Sequence, residues 1–135
     1  MAHNTVTYAF RLQPGNDLKE VLQQFVNTHN IQAGWVVSCV GSLTHYHLRF
    51  ANQPQGSAGQ GHFEIVSLTG TLSVNGSHLH ASISNGEGQT IGGHLLSGCT
   101  VYTTAEIVVA ATDKYIFSRE DDNITGWKEL KIEEL

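Results

Sequence analysis

Between Val6 and Leu12 apolar and polar residues alternate, with Val6, Tyr8, Phe10 and Leu12 on one side. This is the period of a half-buried strand, and Pro14-Gly15 ends it. The period then changes. Asp17 followed by Glu20 has the spacing of a capping box, and Leu18, Val21, Leu22, Phe25 and Val26 recur along one helical face, so a helix is predicted over about residues 17–29. His29 falls in its last turn, where a cation meets the negative end of the helix dipole, a structural role. From Ile31 onward β-branched and aromatic runs are broken by glycine, predicting strands over 35–40, 43–51, 62–68, 71–74, 77–84, 89–96 and 100–112, with a last short strand over 127–132. Residues 52–61, with Pro54, Gly56, Gly59 and Gly61, read as a polar loop long enough to move or to reach a neighbouring subunit. Asn75-Gly76 and Asn85-Gly86 read as type I′ hairpin turns, whose two central residues both need positive φ. The predicted fold class is α/β in the α+β sense: one domain over residues 1–135, a mainly antiparallel twisted sheet and one main helix.

Composition sharpens this in three places. A chain of 135 residues is one domain, not a multi-part enzyme, and its 40% apolar content suffices for a core. Lys plus Arg number 7 and Asp plus Glu 12, a net charge of −5, which repels a polyphosphate unless the basic residues cluster, and no clustering is expected. Cys39 and Cys99 both lie in apolar runs, so a reduced pair of buried thiols is expected in place of a disulfide. The stretch from Met1 to Phe10 has no apolar core of signal-peptide length, and nothing approaches the roughly 20 apolar residues of a membrane span. A cytoplasmic protein without a membrane partner is therefore expected.

The compositional excess is histidine: eight residues, more than Lys and Arg together. In the run from Ser77 to Ile83, His78, His80 and Ser82 share one face of a strand, while Leu79, Ala81 and Ile83 share the other and can enter the core. A turn centred near residues 86–88 would return Gly92-Gly93-His94 alongside. His94 would then lie opposite or diagonal to His80, with Cβ atoms roughly 4.5 to 8 Å apart. Three neutral imidazoles on a rigid sheet suit Zn²⁺ or another borderline divalent ion and leave a fourth position for water or a ligand. Gly92 and Gly93, lacking side chains, would let something approach the strand closely. The plain alternative is a solvated face on which three polar residues happen to be histidine.

His45 and His47 form a second His-x-His, sharing a face with Arg49; it could bind an anion or line a subunit contact, but no partner is visible and an ordinary exposed strand face is the preferred reading. His62 and Glu64 share another face. Glu64 could orient a ligating histidine or accept a proton near a metal-bound water, or it could pair with Arg49. No phosphate-binding glycine loop, serine elbow or Cys-x-x-Cys is present. A Cys–His nucleophile is disfavoured by the apolar surroundings of both thiols.

The run from Gly61 to Gly70, followed by His78-Leu79-His80-Ala81-Ser82 and then Gly92-Gly93-His94-Leu95, resembles the plant and prokaryote conserved domain, also called PPC or DUF296, over nearly the whole span from Tyr8 to Phe117. The resemblance implies one α/β domain with a mainly antiparallel sheet, assembled as a homotrimer. It also implies that His78, His80 and His94 match the histidines of a metal site in prokaryotic members. In plant members the domain follows an AT-hook, and that combination serves DNA binding and transcriptional regulation. This chain departs from the plant pattern: it has no Arg-Gly-Arg-Pro, only Arg11, Arg49 and Arg119, and His62 where plant members have Arg. Minor-groove reading depends on such arginines, so nucleic acid is not the expected partner. The expected function is a trimeric domain whose zinc site binds a small ligand, with metal-assisted hydrolysis as its conceivable chemistry and Glu64 or a residue of an adjoining subunit as base. His62, Arg49, Gly92 and Gly93 are the expected ligand-side neighbours. A DNA-binding regulator and a trimeric scaffold holding a structural metal are the competing expectations.

Overall fold

A computed structural model describes residues 2–135; Met1, the first residue of the stretch read for a leader, lies outside them. The strands are β1 Thr5–Leu12, β2 Gly34–Arg49, β3 Ser57–Leu72, β4 His78–Ser84, β5 Thr90–Leu95, β6 Thr100–Thr112, β7 Tyr115–Asp121 and β8 Lys128–Glu134, and the helix is α1 Leu18–Thr28. All strand pairings between these elements are antiparallel. The fold class is thus the expected one, a mainly antiparallel sheet with a single helix.

Six strands form one sheet in the order β1-β6-β2-β3-β4-β5, and β5 also pairs with β2. That last pairing shapes the molecule. β2 lies against β6 from Gly34 to His45, then exchanges that neighbour for β5, with Leu48 opposite Leu95 and Arg49 opposite His94. The strands β2, β3, β4 and β5 therefore close on themselves in a small ring. A ring this tight needs a close approach at its seam, and Gly93 provides it: a Cβ there would stand 2.6 Å from the Arg49 carbonyl oxygen. The glycine pair is thus explained by strand packing, since a Cβ at Gly92 would crowd the Ala81 carbonyl oxygen at 3.0 Å. The approach of a ligand is not needed to account for it.

Inside, Leu48, Ile65, Leu68, Leu79, Ala81, Ile83 and Leu95 join the apolar face of α1 (Leu18, Leu22, Val26) in one continuous core. The helix begins as its sequence predicts, with Asp17 Oδ1 accepting from the Glu20 N–H at 3.0 Å. The capping box is only half made, because the Glu20 carboxylate accepts from the Ser97 hydroxyl. His29 closes the other end: its backbone N–H donates to the Phe25 carbonyl, and its ring stacks on Phe25 at 4.0 Å.

Several boundaries differ from those the sequence suggested. The stretches 35–40 and 43–51 are one strand, β2, and 62–68 with 71–74 are one strand, β3. Irregularities in β2 between Val36 and Ser38 and between Gly41 and His45, and one in β3 between Ile65 and Ser67, break the alternation without ending either strand. The expected loop 52–61 is cut short by β3, because Ala58, Gly59 and Gln60 pair with His47, Tyr46 and His45. Neither Asn-Gly pair makes a type I′ turn: positive φ falls on Gly76 and Gly88, with neither Asn75 nor Asn85 joining them. At the second turn the Asn85 side chain accepts from the N–H groups of Glu87 and Gln89, a longer loop that still returns the chain. β7 is absent from the sequence reading; with β8 it forms a separate two-stranded sheet.

Candidate metal centre

The longer loop leaves the pairing of β4 and β5 in the register expected: His80 faces His94, and Ser82 faces Gly92. Leu79, Ala81 and Ile83 are buried, so the even-numbered side chains of β4 point away from the core. His78, His80 and His94 come together there, each offering one ring nitrogen within 4.8 Å of the others. The ring centroids are 4.9 Å apart for His78 and His80, 5.1 Å for His78 and His94, and 5.8 Å for His80 and His94.

The surroundings of His94 and His78 favour the neutral ring. Burial, then the Arg49 charge, then the two neighbouring imidazoles and Lys19, bring the His94 pKa down to about 4 from an ordinary 6.5. His78 is also lowered, by burial first and then by Arg119, His80 and Arg49, against a smaller opposing effect of Glu129. Neutral imidazole is the form that ligates metal. His94 Nδ1 is in addition buried without a hydrogen-bond partner. Three convergent rings, His78 and His94 among them held toward the neutral form, and an orphaned nitrogen fit a divalent ion of the zinc type.

The remaining sequence candidates scatter. Arg49 belongs to the centre, being the β2 partner of His94, with its guanidinium 5.2 Å from the centroid of the Trp127 ring. Glu64 does not belong to it. Glu64 pairs with Ser84, on the His80 side of the sheet but four residues along β4, or about 13 Å at the usual strand rise. His62 is farther still in register and stacks on Tyr102 at 4.6 Å. The second His-x-His gathers no third histidine: His45 Nδ1 bonds the Thr44 hydroxyl at 2.8 Å, and His47 Nδ1 bonds the Ser97 carbonyl at 2.7 Å. Both cysteines are free, with burial as the leading cause that raises each thiol to about 11, so neither is a nucleophile at neutral pH.

Four residues that the sequence reading assigned to no site complete the surroundings. Arg119 of β7, Trp127, and Lys128 and Glu129 of β8 line a cleft of about 460 Å³ together with Arg49, Ser77, His78 and His94. Arg119 is held there by an Nη2 hydrogen bond to the Thr71 hydroxyl at 3.1 Å, and Thr71 is the cross-strand partner of His78. The hairpin residues are far from the histidines in sequence and carry no motif. Alternation in 127–132 was the only signal for Trp127, Lys128 and Glu129, and Arg119 had none.

The fold and this centre define a class: a small closed-sheet domain bearing a three-imidazole cluster beside a cationic cleft. The chain belongs to the Plants and Prokaryotes Conserved (PCC) domain family, whose model matches residues 2–113. A hypothetical protein from Salmonella enterica has the same fold at a TM-score of 0.95 and 40% identity, over 99% of this chain and 97% of that one. A metal-containing protein from Archaeoglobus fulgidus shares the fold at a TM-score of 0.78 and 23% identity, over 93% of each chain. The bifunctional protein GlmU of a Synechococcus strain is 46% identical over 128 residues, 95% of this chain but 21% of its own length, so the chain spans about a fifth of that relative.

Proposed function

We propose that this domain binds a divalent metal, zinc, through His78, His80 and His94, and a small ligand at the open position. The carrying observation is the convergence of three ring nitrogens within 4.8 Å on the outer face of a rigid sheet. The metal-containing relative from Archaeoglobus fulgidus supports the reading. When bound, such an ion polarises an oxygen of its ligand and lowers the pKa of a coordinated water, which is the chemistry of metal-assisted hydrolysis. Arg49 and Arg119 would orient the ligand. Glu129 is the carboxylate within the same cleft and the better-placed proton acceptor, since Glu64 pairs four residues farther along β4, about 13 Å from His80 at the usual strand rise.

The same reading includes a homotrimer in the cytoplasm. Val37 and Val40 of β2, Val66 of β3 and Tyr102 of β6 are exposed apolar residues of the kind a subunit contact covers. Metal analysis of protein purified without a histidine tag tests the centre, and light scattering tests the assembly. About one zinc per chain, lost in His80→Ala, and a mass three times that of the chain are expected. Sub-stoichiometric metal that is unchanged in His80→Ala removes the metal reading, and a monomeric mass removes the trimer.

A further inference from the structure

We propose that the cleft beside the three histidines is an oxyanion subsite, built by the β7–β8 hairpin, that takes a small carboxylate or phosphate; the identity of that ligand class rests on the metal reading above. Of the seven Lys and Arg residues, three converge on this one cleft, Arg49, Arg119 and Lys128, in a chain whose net charge is −5. The spacing of these residues along the sequence hides the clustering, because β2, β7 and β8 meet only in the fold.

The local charges are out of balance. Lys128 is answered by Asp121 at 3.3 Å. Among the described residues neither arginine has a carboxylate partner: Arg119 bonds a hydroxyl, and Arg49 lies over the Trp127 ring. Glu129 is the one acidic residue lining the cleft. Adding a divalent ion at the histidines would place two more positive charges beside two unpaired guanidiniums, which one carboxylate does not offset. An oxyanion held jointly by the ion and the guanidinium forks resolves the imbalance, since carboxylate and phosphate match the bidentate geometry of arginine. A volume of about 460 Å³ limits the occupant to a small molecule. The family model matches residues 2–113, so Arg49, His78 and His94 lie within the matched span, while Arg119, Trp127 and Lys128 follow it on the β7–β8 hairpin.

Succinate and inorganic phosphate serve as the two probes, titrated into zinc-loaded and metal-free protein. Tryptophan fluorescence reads Trp127 beneath Arg49, and calorimetry gives the affinity. One of the two anions is expected to bind and change the emission, with affinity falling at least tenfold in Arg49→Gln and in Arg119→Gln while zinc content stays the same. Arg119→Lys is expected to recover only part of that loss. Whichever probe binds more tightly identifies the headgroup. Binding of neither anion to zinc-loaded protein, or equal binding by the wild type and a folded double variant, overturns the proposal. Loss of zinc in the arginine variants also overturns it, because the arginines would then be holding the histidines and not a ligand. Anion binding that persists in protein unable to load zinc separates the two readings, sinking the metal and keeping the subsite.

Discussion

The molecule contains the same three-residue pattern twice, and only one copy becomes a centre. His78 and His80 on β4, and His45 and His47 on β2, each place two imidazoles on one side of a strand. Across from His80 stands His94, whereas across from His47 stands Ala58, and across from His45 stand Gln60 and Thr100. The two pairs also differ in what their nitrogens do. His47 Nδ1 is engaged by the Ser97 carbonyl and His45 Nδ1 by a hydroxyl, while His94 Nδ1 is buried and unbonded. The spacing of a motif fixes which side chains share a face; the neighbouring strand decides whether anything meets them there.

The sharpest break between the two pairs is expected in metal titrations against a competing chelator. His78→Ala should weaken zinc binding by on the order of a hundredfold or more, beyond the ten- to hundredfold typical of changing an outer partner. His47→Ala should leave zinc affinity where it was and cost about 1 kcal/mol of folding stability in a denaturant melt, the worth of one hydrogen bond. Equal loss of zinc in both variants would mean that the two pairs are not different in kind.

How far the sequence reaches follows from the same contrast. Local rules served where one side of an element is buried: α1 and its Asp17 cap, the inward face of β4, and the return of β5 to bring His94 against His80. They failed where geometry is decided at a distance. Irregularities within β2 and β3 break the alternation, so the sequence pattern predicts two strands for each, though pairing with neighbours keeps each continuous. Glu64 was drawn toward the histidines by residue type and face, but the register sets it beside Ser84. Arg119, Trp127, Lys128 and Glu129 were invisible as a group, because a hairpin distant in sequence reaches Thr71 of β3 and Arg49 of β2, and no periodicity encodes those contacts. The clustering of positive charge was missed for this reason as well.

If a facing histidine is what the β2 pair lacks, supplying one should create a weak second site. Ala58 is exposed and lies directly across from His47, as His94 lies across from His80. Ala58→His is therefore expected to bind a second equivalent of zinc per chain, at least tenfold more weakly than the first, because His47 must give up its bond to the Ser97 carbonyl. Removing that competition should not be needed for detection by equilibrium dialysis. A variant that is folded and still holds only one zinc would show that a facing histidine is insufficient and that the free nitrogen at His94 matters more.

The smallest effect concerns the metal-free protein and isolates that nitrogen. The folded pKa of His94 is about 4, set first by burial and then by Arg49, while an unfolded chain titrates near 6.5. Between those values the unfolded chain takes up a proton that the folded chain refuses, so stability rises with pH across the window. The contribution is complete above pH 6.5 and is lost as the pH falls through 6.5 toward 4. Partial solvent exposure of His94 keeps the effect modest. Thermal melts of zinc-free protein at pH 7 and pH 5 should show Tm dropping by a few degrees more in the wild type than in His94→Gln, which cannot take up the proton in either state. Parallel pH curves for the two proteins would mean that the ring is as well solvated in the fold as in the open chain, and the distinction between the two histidine pairs would then reduce to position alone.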